Sequence, residues 1–164
     1  MIYFVHDSAN PNPFMKPEET IDFHIRWAWS KISKAYNNEA AKNGGTMAIG
    51  YVLLNIDKDG TPSTKLGPRM GMEPTSLSRI LKSMEDLKLI KRIPDKNDKR
   101  IVKVTLTTKG IEMREVSKNV VIRFNTLVSE NIEQKKLETC FEVLQQINML
   151  LETNIFEDQT IRVN

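Results

Sequence analysis

Apolar residues recur at three- and four-residue steps through Leu77, Ile80, Leu81, Met84 and Leu87, which predicts a helix over residues 74–87 with one buried stripe. Pro74 suits its first position, where the missing N–H would have no partner in any case. Met72 and Leu77 can close a hydrophobic staple across the start. The opposite face carries Thr75, Arg79, Lys82 and Ser83, with Ser76 and Ser78 at its edges. Beyond this helix the pattern changes period. Leu89-Ile90-Lys91-Arg92-Ile93 and the alternating run from Ile101 to Leu106 read as strands, joined by Pro94-Asp95-Lys96-Asn97-Asp98-Lys99-Arg100. Residues 71–110 therefore read as helix, strand, polar wing and strand.

The flanking pattern is helical. Pro17-Glu18-Glu19 is expected to open a long helix, with proline first and acids in the first turn, where the helix dipole favours them. Ile21, Ile25, Ala28, Ile32 and Ala35 make one stripe, and Phe23 with Trp27 make a second apolar side, so this helix is expected to be covered on two sides. Gly44-Gly45 ends it. Thr46 can cap a helix from Met47 to Ile56, and Asp57–Gly60 is a turn. Thr61–Met70 is expected to form a helix, capped by Thr61 or Ser63 and short or distorted because Pro68 removes a helical hydrogen bond. After the hairpin, Thr107 or Thr108 caps a helix with the stripe Met113, Val116, Val120, Phe124 and Leu127. Asn131 with Gln134 resembles a capping box for a last helix striped by Leu137, Cys140, Phe141, Leu144, Ile147 and Leu151. In residues 1–16, Asn10-Pro11-Asn12-Pro13 forbids regular structure, and Ile2, Tyr3, Phe4 and Val5 are expected to pack on the protein body or a partner subunit.

Charge sharpens this picture. Residues 73–109 hold ten Lys or Arg and five Asp or Glu, a net of +5 in a 164-residue chain whose total is +3, leaving −2 elsewhere. Basic charge concentrated on the helix and hairpin is the footprint expected of a nucleic-acid surface. Hydroxyls and amides at the helix start can reach phosphates, and Arg79 can reach a phosphate or a guanine edge. The remaining composition, 40% hydrophobic and 27% charged, is that of an ordinary globular chain. The single cysteine, Cys140, excludes an intramolecular disulfide and a cysteine-cluster metal site, and within its apolar stripe it is expected to be a buried structural thiol. A reducing, cytoplasmic location fits. No apolar run approaches the length of a membrane span. His6 and His24 are the only histidines, and no catalytic, phosphate-loop or paired metal-ligand motif appears, so no enzyme activity, cofactor or metal is expected. Asp95 and Asp98 are expected to organise the hairpin tip and orient Arg100.

Leu77-Ser78-Arg79, Leu89-Ile90-x-Arg92, Asp95, Asp98-x-Arg100 and Leu106-Thr107-x-x-Gly110, in this combined spacing, resemble the MarR family of bacterial winged helix-turn-helix regulators. The match covers roughly residues 17–153, with Gly67-Pro68 a departure from the family pattern. The resemblance implies a mainly α fold with a small β-hairpin wing. In it, residues 1–45 and 108–155 form a helical dimerisation lobe, 46–107 a DNA-binding lobe and 156–164 a tail. It implies a homodimer, more a repressor than an activator, that reads double-stranded DNA at a pseudo-palindromic operator. Pro74, Thr75, Ser76, Ser78 and Arg79 are assigned to the major groove, Lys82 to phosphate, and Lys96, Asn97, Lys99 and Arg100 to the wing. In the family the first helix lines an effector pocket. Phe14, Phe23, His24, Trp27 and Trp29 are the candidate walls here, suited to an apolar or aromatic acid; core or interface packing is the alternative for the two tryptophans. Some members sense oxidants through a cysteine near the start of the first helix. This chain has none there, so it is not expected to be that kind of peroxide sensor. The competing function is a winged-helix protein-interaction module without sequence-specific DNA binding, but the polar, basic face of Thr75, Ser76, Arg79 and Lys82 lacks the apolar anchors such a surface uses.

Overall fold

In a computed structural model, which describes residues 3–4, 14–95 and 98–152, the apolar pattern becomes six α-helices and five short strands among the described residues. In chain order these are β1 (Tyr3–Phe4), β2 (Phe14–Met15), α1 (Ile21–Ala41), α2 (Met47–Asn55), β3 (Thr61–Pro62), α3 (Ser63–Met70), α4 (Pro74–Asp86), β4 (Ile90–Pro94), β5 (Val102–Leu106), α5 (Thr108–Asn131) and α6 (Gln134–Glu152). The chain divides into two compact units, Met1–Val120 and Val121–Asn164.

The core of the first unit is built by the central elements. Leu77, Leu81 and Met84 of α4 are buried together with Ile49, Val52 and Leu53 of α2, Ile56 just beyond it, Leu66 and Met70 of α3, and Leu89, Ile90 and Val104 of the hairpin. Leu87 departs from its expected place in the stripe. It caps α4 at 37% exposure, because the helix has ended and the chain has turned into β4. Met72 packs against the core beside buried Leu77, as a staple requires.

The sheet has three strands in the order β3-β5-β4, all antiparallel, with Arg92 opposite Val104 and Thr61 also paired to Val104 from the other side. β3 departs from the expectation that Thr61 or Ser63 caps α3. The N-cap of α3 is Pro62 and has no side-chain cap bond. Thr61 is instead fully buried in the sheet, and its Oγ1 donates to Asp57 Oδ2 at 2.9 Å and accepts from Asp57 N at 2.8 Å. Proline at the end of an edge strand is consistent with its missing donor. α3 itself is short, eight residues running through Pro68, and Gly71 closes it at φ 59. Met72 N then reaches Gly67 O at 3.0 Å and Gly71 N reaches Pro68 O at 3.4 Å, a Schellman ending that turns the chain into α4.

Further differences lie outside this core. Pro17–Glu19 forms a separate 3-10 turn, not the start of α1, because Thr20 is extended and its Oγ1 donates back to Pro17 O at 2.7 Å. The N-terminal arm, read as irregular, pairs Tyr3 with Met15 and Phe4 with Phe14 at its two ends; Ile2 and Val5, expected to pack, lie outside the described residues. Asn131 ends α5 with its Nδ2 donating to Leu127 O at 2.8 Å, so it does not cap α6. Thr46 caps α2 as expected, accepting from Ile49 N at 3.2 Å.

The apolar stripes of α1 and α6 are not buried by the described residues. Neither helix has a buried residue, and α5 buries only Gly110. Trp27 and Trp29 are 53% and 55% exposed, Phe141 is 56% exposed, and Cys140, expected to be a buried thiol, is exposed. A stripe specifies which face seeks cover, and the described residues do not supply it. Among the described residues, no helix is long and apolar enough to cross a membrane, and no cluster of three or more His, Cys, Asp or Glu could hold a metal.

Candidate nucleic-acid interface

Burial of Leu77, Leu81 and Met84 fixes the orientation of α4 and leaves Pro74, Thr75, Ser76, Ser78, Arg79 and Lys82 exposed. Thr75, Ser78, Arg79 and Lys82 follow steps of three, one and three, so they share one face. Glu73, the N-cap, makes no side-chain cap bond, and the first intrahelical amide bond is Leu77 N to Glu73 O at 3.1 Å. The amides of Thr75 and Ser76 are therefore without a helical acceptor beside two hydroxyls. That is a donor-rich helix start suited to an anion. Among the described residues, Arg79, Lys82 and Lys99 enter no ion pair, so their charge is open to an external partner.

The other end of α4 is tied to the hairpin. Arg92 Nε meets Glu85 Oε2 at 3.1 Å, and Lys88, at φ 60, lets the chain turn directly into β4. The hairpin tip is organised by its two aspartates. Asp98 N donates to Asp95 Oδ1 at 3.2 Å, Ile101 N to Asp98 O at 2.9 Å, and Asp95 N to Ile101 O at 2.8 Å. Asp95 Oδ2 also holds Lys103 Nζ at 2.5 Å. Asp98 grips Arg100 through Nε at 3.1 Å and Nη2 at 3.2 Å, yet the Arg100 side chain remains 92% exposed. The fork aims the guanidinium and uses two of its five donors. The Arg100 side-chain bonds, then its backbone N–H, hold the Asp98 carboxyl below the usual aspartate range. Lys99 is exposed beside it; Lys96 and Asn97, also assigned to the wing, lie outside the described residues.

The aromatic residues of α1 divide. Phe23 contacts His24 at 5.6 Å and Trp27 at 6.1 Å between ring centroids, both edge-on, and Lys31 Nζ stands 5.9 Å from the Trp27 ring. His24 Nε2 lies 2.7 Å from Glu18 O, and a carbonyl only accepts, so that nitrogen carries a proton. Trp29, two residues after Trp27, is rotated by about 200° and stands on the other side of the helix. The side chain of Phe14 lies outside the described part of the chain.

One brace was not legible in the sequence. Arg69 Nη1 bridges Asp57 Oδ2 at 2.9 Å and Asn55 O at 3.3 Å, tying the end of α3 to the end of α2. The Thr61 hydroxyl first, then Arg69, pull the Asp57 carboxyl below its ordinary value. Asp57 and Arg69 are separated by a turn and a strand that no periodic pattern reveals.

Comparison with known proteins agrees with this geometry. The MarR family model matches residues 52–102, the segment holding α3, α4 and most of the hairpin. The HTH-type transcriptional regulator SarZ of Staphylococcus saprophyticus is 33% identical over 111 residues, which cover 65% of this chain and 76% of SarZ. Among solved structures, the S. aureus MepR–DNA complex matches 79% of this chain and 98% of its own with a TM-score of 0.70 at 21% identity. CouR from Rhodococcus jostii RHA1 bound to p-coumaroyl-CoA gives 0.70 at 20% identity, covering 81% and 94%. A MarR mutant from E. coli complexed with operator DNA gives 0.69 at 23% identity, covering 79% and 96%. At these identities the structures establish the shared fold, and the SarZ alignment carries the relationship further. The chain belongs to the MarR family: it is a winged helix-turn-helix transcriptional regulator that binds DNA and is not an enzyme.

Proposed function

We propose that this protein is a homodimeric repressor that reads a pseudo-palindromic operator through α4 and is released by a small effector. The observation that carries the DNA reading is the unpaired, exposed face of Thr75, Ser78, Arg79 and Lys82 on a helix whose other face is locked in the core. Pro74, Thr75, Ser76, Ser78 and Arg79 enter the major groove, Lys82 meets phosphate, and Lys96, Asn97, Lys99 and Arg100 form the wing contact. The segments 1–45 and 108–155 supply the dimer interface, 46–107 the DNA-binding lobe, and 156–164 a tail. Exposed Ile21, Trp29, Leu127, Phe141, Leu150 and Leu151 support the dimer, since large apolar side chains gathered on helical stripes favour burial against a partner. Two α4 helices related by a two-fold axis would meet half-sites about one DNA turn apart.

The effector is an apolar or aromatic acid, with Phe23, His24 and Trp27 as its candidate contacts; the p-coumaroyl-CoA held by CouR supports this class. A ligand weakens operator binding only if it favours the form whose recognition helices are wrongly spaced. The experiment is selection from a random duplex pool, followed by titration of the selected duplex with aromatic carboxylates and acyl thioesters. A two-fold-related sequence released by one of these ligands is expected. Selection of no sequence would sink the regulator reading, and a ligand that binds without changing operator affinity would sink the effector reading.

A further inference from the structure

The turn that leads out of α4, at Leu87–Leu89, ends on the first turn of α5. The Leu87 carbonyl belongs to the cap of α4 and lacks an intrahelical donor, while Lys88 and Leu89 already lie beyond the helix. These three successive carbonyls are taken up by one short segment. Lys109 Nζ donates to Leu87 O at 3.1 Å, Thr107 Oγ1 donates to Lys88 O at 2.7 Å, and Thr107 N donates to Leu89 O at 3.0 Å. The same Thr107 hydroxyl accepts from Gly110 N at 3.0 Å, so it caps α5 while holding the end of α4. Gly110 brings the two backbones together: a Cβ there would stand 3.5 Å from Leu106 Cδ2, 3.0 Å from the Leu89 carbonyl carbon and closer still to its oxygen.

We propose that Thr107 and Lys109 are positioning residues for DNA sequence recognition, a role that rests on α4 being the recognition helix. The apolar stripe of α4 prevents its removal from the core but restrains sliding along, or rocking about, its axis less. Phosphate contacts made by long lysine side chains tolerate such movement. Hydrogen bonds to base edges do not, because they need both distance and angle. The clamp at Leu87–Leu89 fixes the end of the helix from which the Ser78, Arg79 and Lys82 face is aimed. Neither clamp residue belongs to that face.

The test uses the full-length protein as wild type, Lys109→Met, Thr107→Val and Thr107→Ser, on a duplex the wild type has selected from a random pool and on a scrambled version of it. The ratio of the two affinities falls about tenfold in Lys109→Met and Thr107→Val, the scale of one good base contact. Affinity for the scrambled duplex and its salt slope stay at wild-type values. Thr107→Ser, which keeps the hydroxyl, restores the ratio. Amide hydrogen exchange, read without DNA, is faster at Leu87, Lys88 and Leu89 in Lys109→Met, while Val52 and Leu53 of α2 keep their wild-type rates. An unchanged ratio in both variants, unchanged exchange at residues 87–89, or a parallel loss on both duplexes with a smaller salt slope overturns the proposal. The last result would make Lys109 a phosphate contact. A wild type that selects no sequence overturns the reading of α4 and with it this proposal, whereas selection by the wild type with unchanged ratios overturns the proposal alone.

Discussion

Gly110→Ala separates two opposed effects on stability. Gly110 is buried in the first turn of α5, with no positive φ to excuse a glycine. On helix propensity alone, alanine there should stabilise by up to about 1 kcal/mol. The structure predicts the opposite sign. The added methyl would collide with the Leu89 carbonyl, and backbone atoms cannot swing aside as a flexible side chain can. Separating the two segments stretches the Thr107 N bond to Leu89 O, now 3.0 Å, and the Thr107 Oγ1 bond to Lys88 O, now 2.7 Å. Overpacking costs about 1–3 kcal/mol, and one or two weakened hydrogen bonds cost about 1 kcal/mol each. After the propensity gain, the net is a destabilisation of about 1–4 kcal/mol. Urea denaturation followed by circular dichroism measures it as a lower midpoint at unchanged slope, with wild type and variant at equal protein concentration because the stability of the proposed dimer would depend on concentration. A midpoint equal to or above wild type would refute the close packing of α5 on the end of α4.

Other consequences follow from single residues. Lys88 occupies φ 60, so Lys88→Gly should raise stability by about 0.5–1 kcal/mol in the same denaturation assay, and a loss would contradict the left-handed turn. Asp57 has its pKa lowered from 3.8 by Thr61 and Arg69, so its contribution is present above that value and lost as pH falls through the lower folded value. Asp57→Asn should flatten the acid side of the stability profile below about pH 4, leaving the residual slope of Asp98, which is shifted in the same direction; an unchanged profile would argue against the Asp57 brace. Lys99→Ala should weaken binding to all duplexes alike and reduce the salt slope by about 1, whereas a sequence-selective loss would move Lys99 from phosphate to bases.

Helix α4 was legible because one residue pattern answers one question: the 3.6-residue period of Leu77, Leu81 and Met84 says which face is buried, and the polar face follows from it. The hairpin was legible for the same reason at period two, and its aspartates because short acidic side chains bond to nearby amides. β3 was not legible. Two residues ending in proline carry no alternation, and Thr61, a good helix cap by type, is drawn into the sheet by its partner Asp57. The Asp57–Arg69 brace and the Lys109 contact with Leu87 O join residues twelve and twenty-two positions apart, which pattern alone cannot pair. The stripes of α1 and α6 show a different gap. They mark faces that are apolar in sequence, but a single sequence does not say what covers them, and Ile21, Cys140 and Phe141 are all exposed here.

The most direct test of the account is fluorescence anisotropy of wild type and Arg79→Ala on DNA from immediately upstream of the coding sequence and on a scrambled duplex, across a salt series. The wild type should bind the upstream duplex selectively and with strong salt dependence. Arg79→Ala should lose about 1–3 kcal/mol on that duplex and little on the scrambled one. Equal affinity of wild type and Arg79→Ala for both duplexes would contradict the assignment of α4 as the element that reads the sequence.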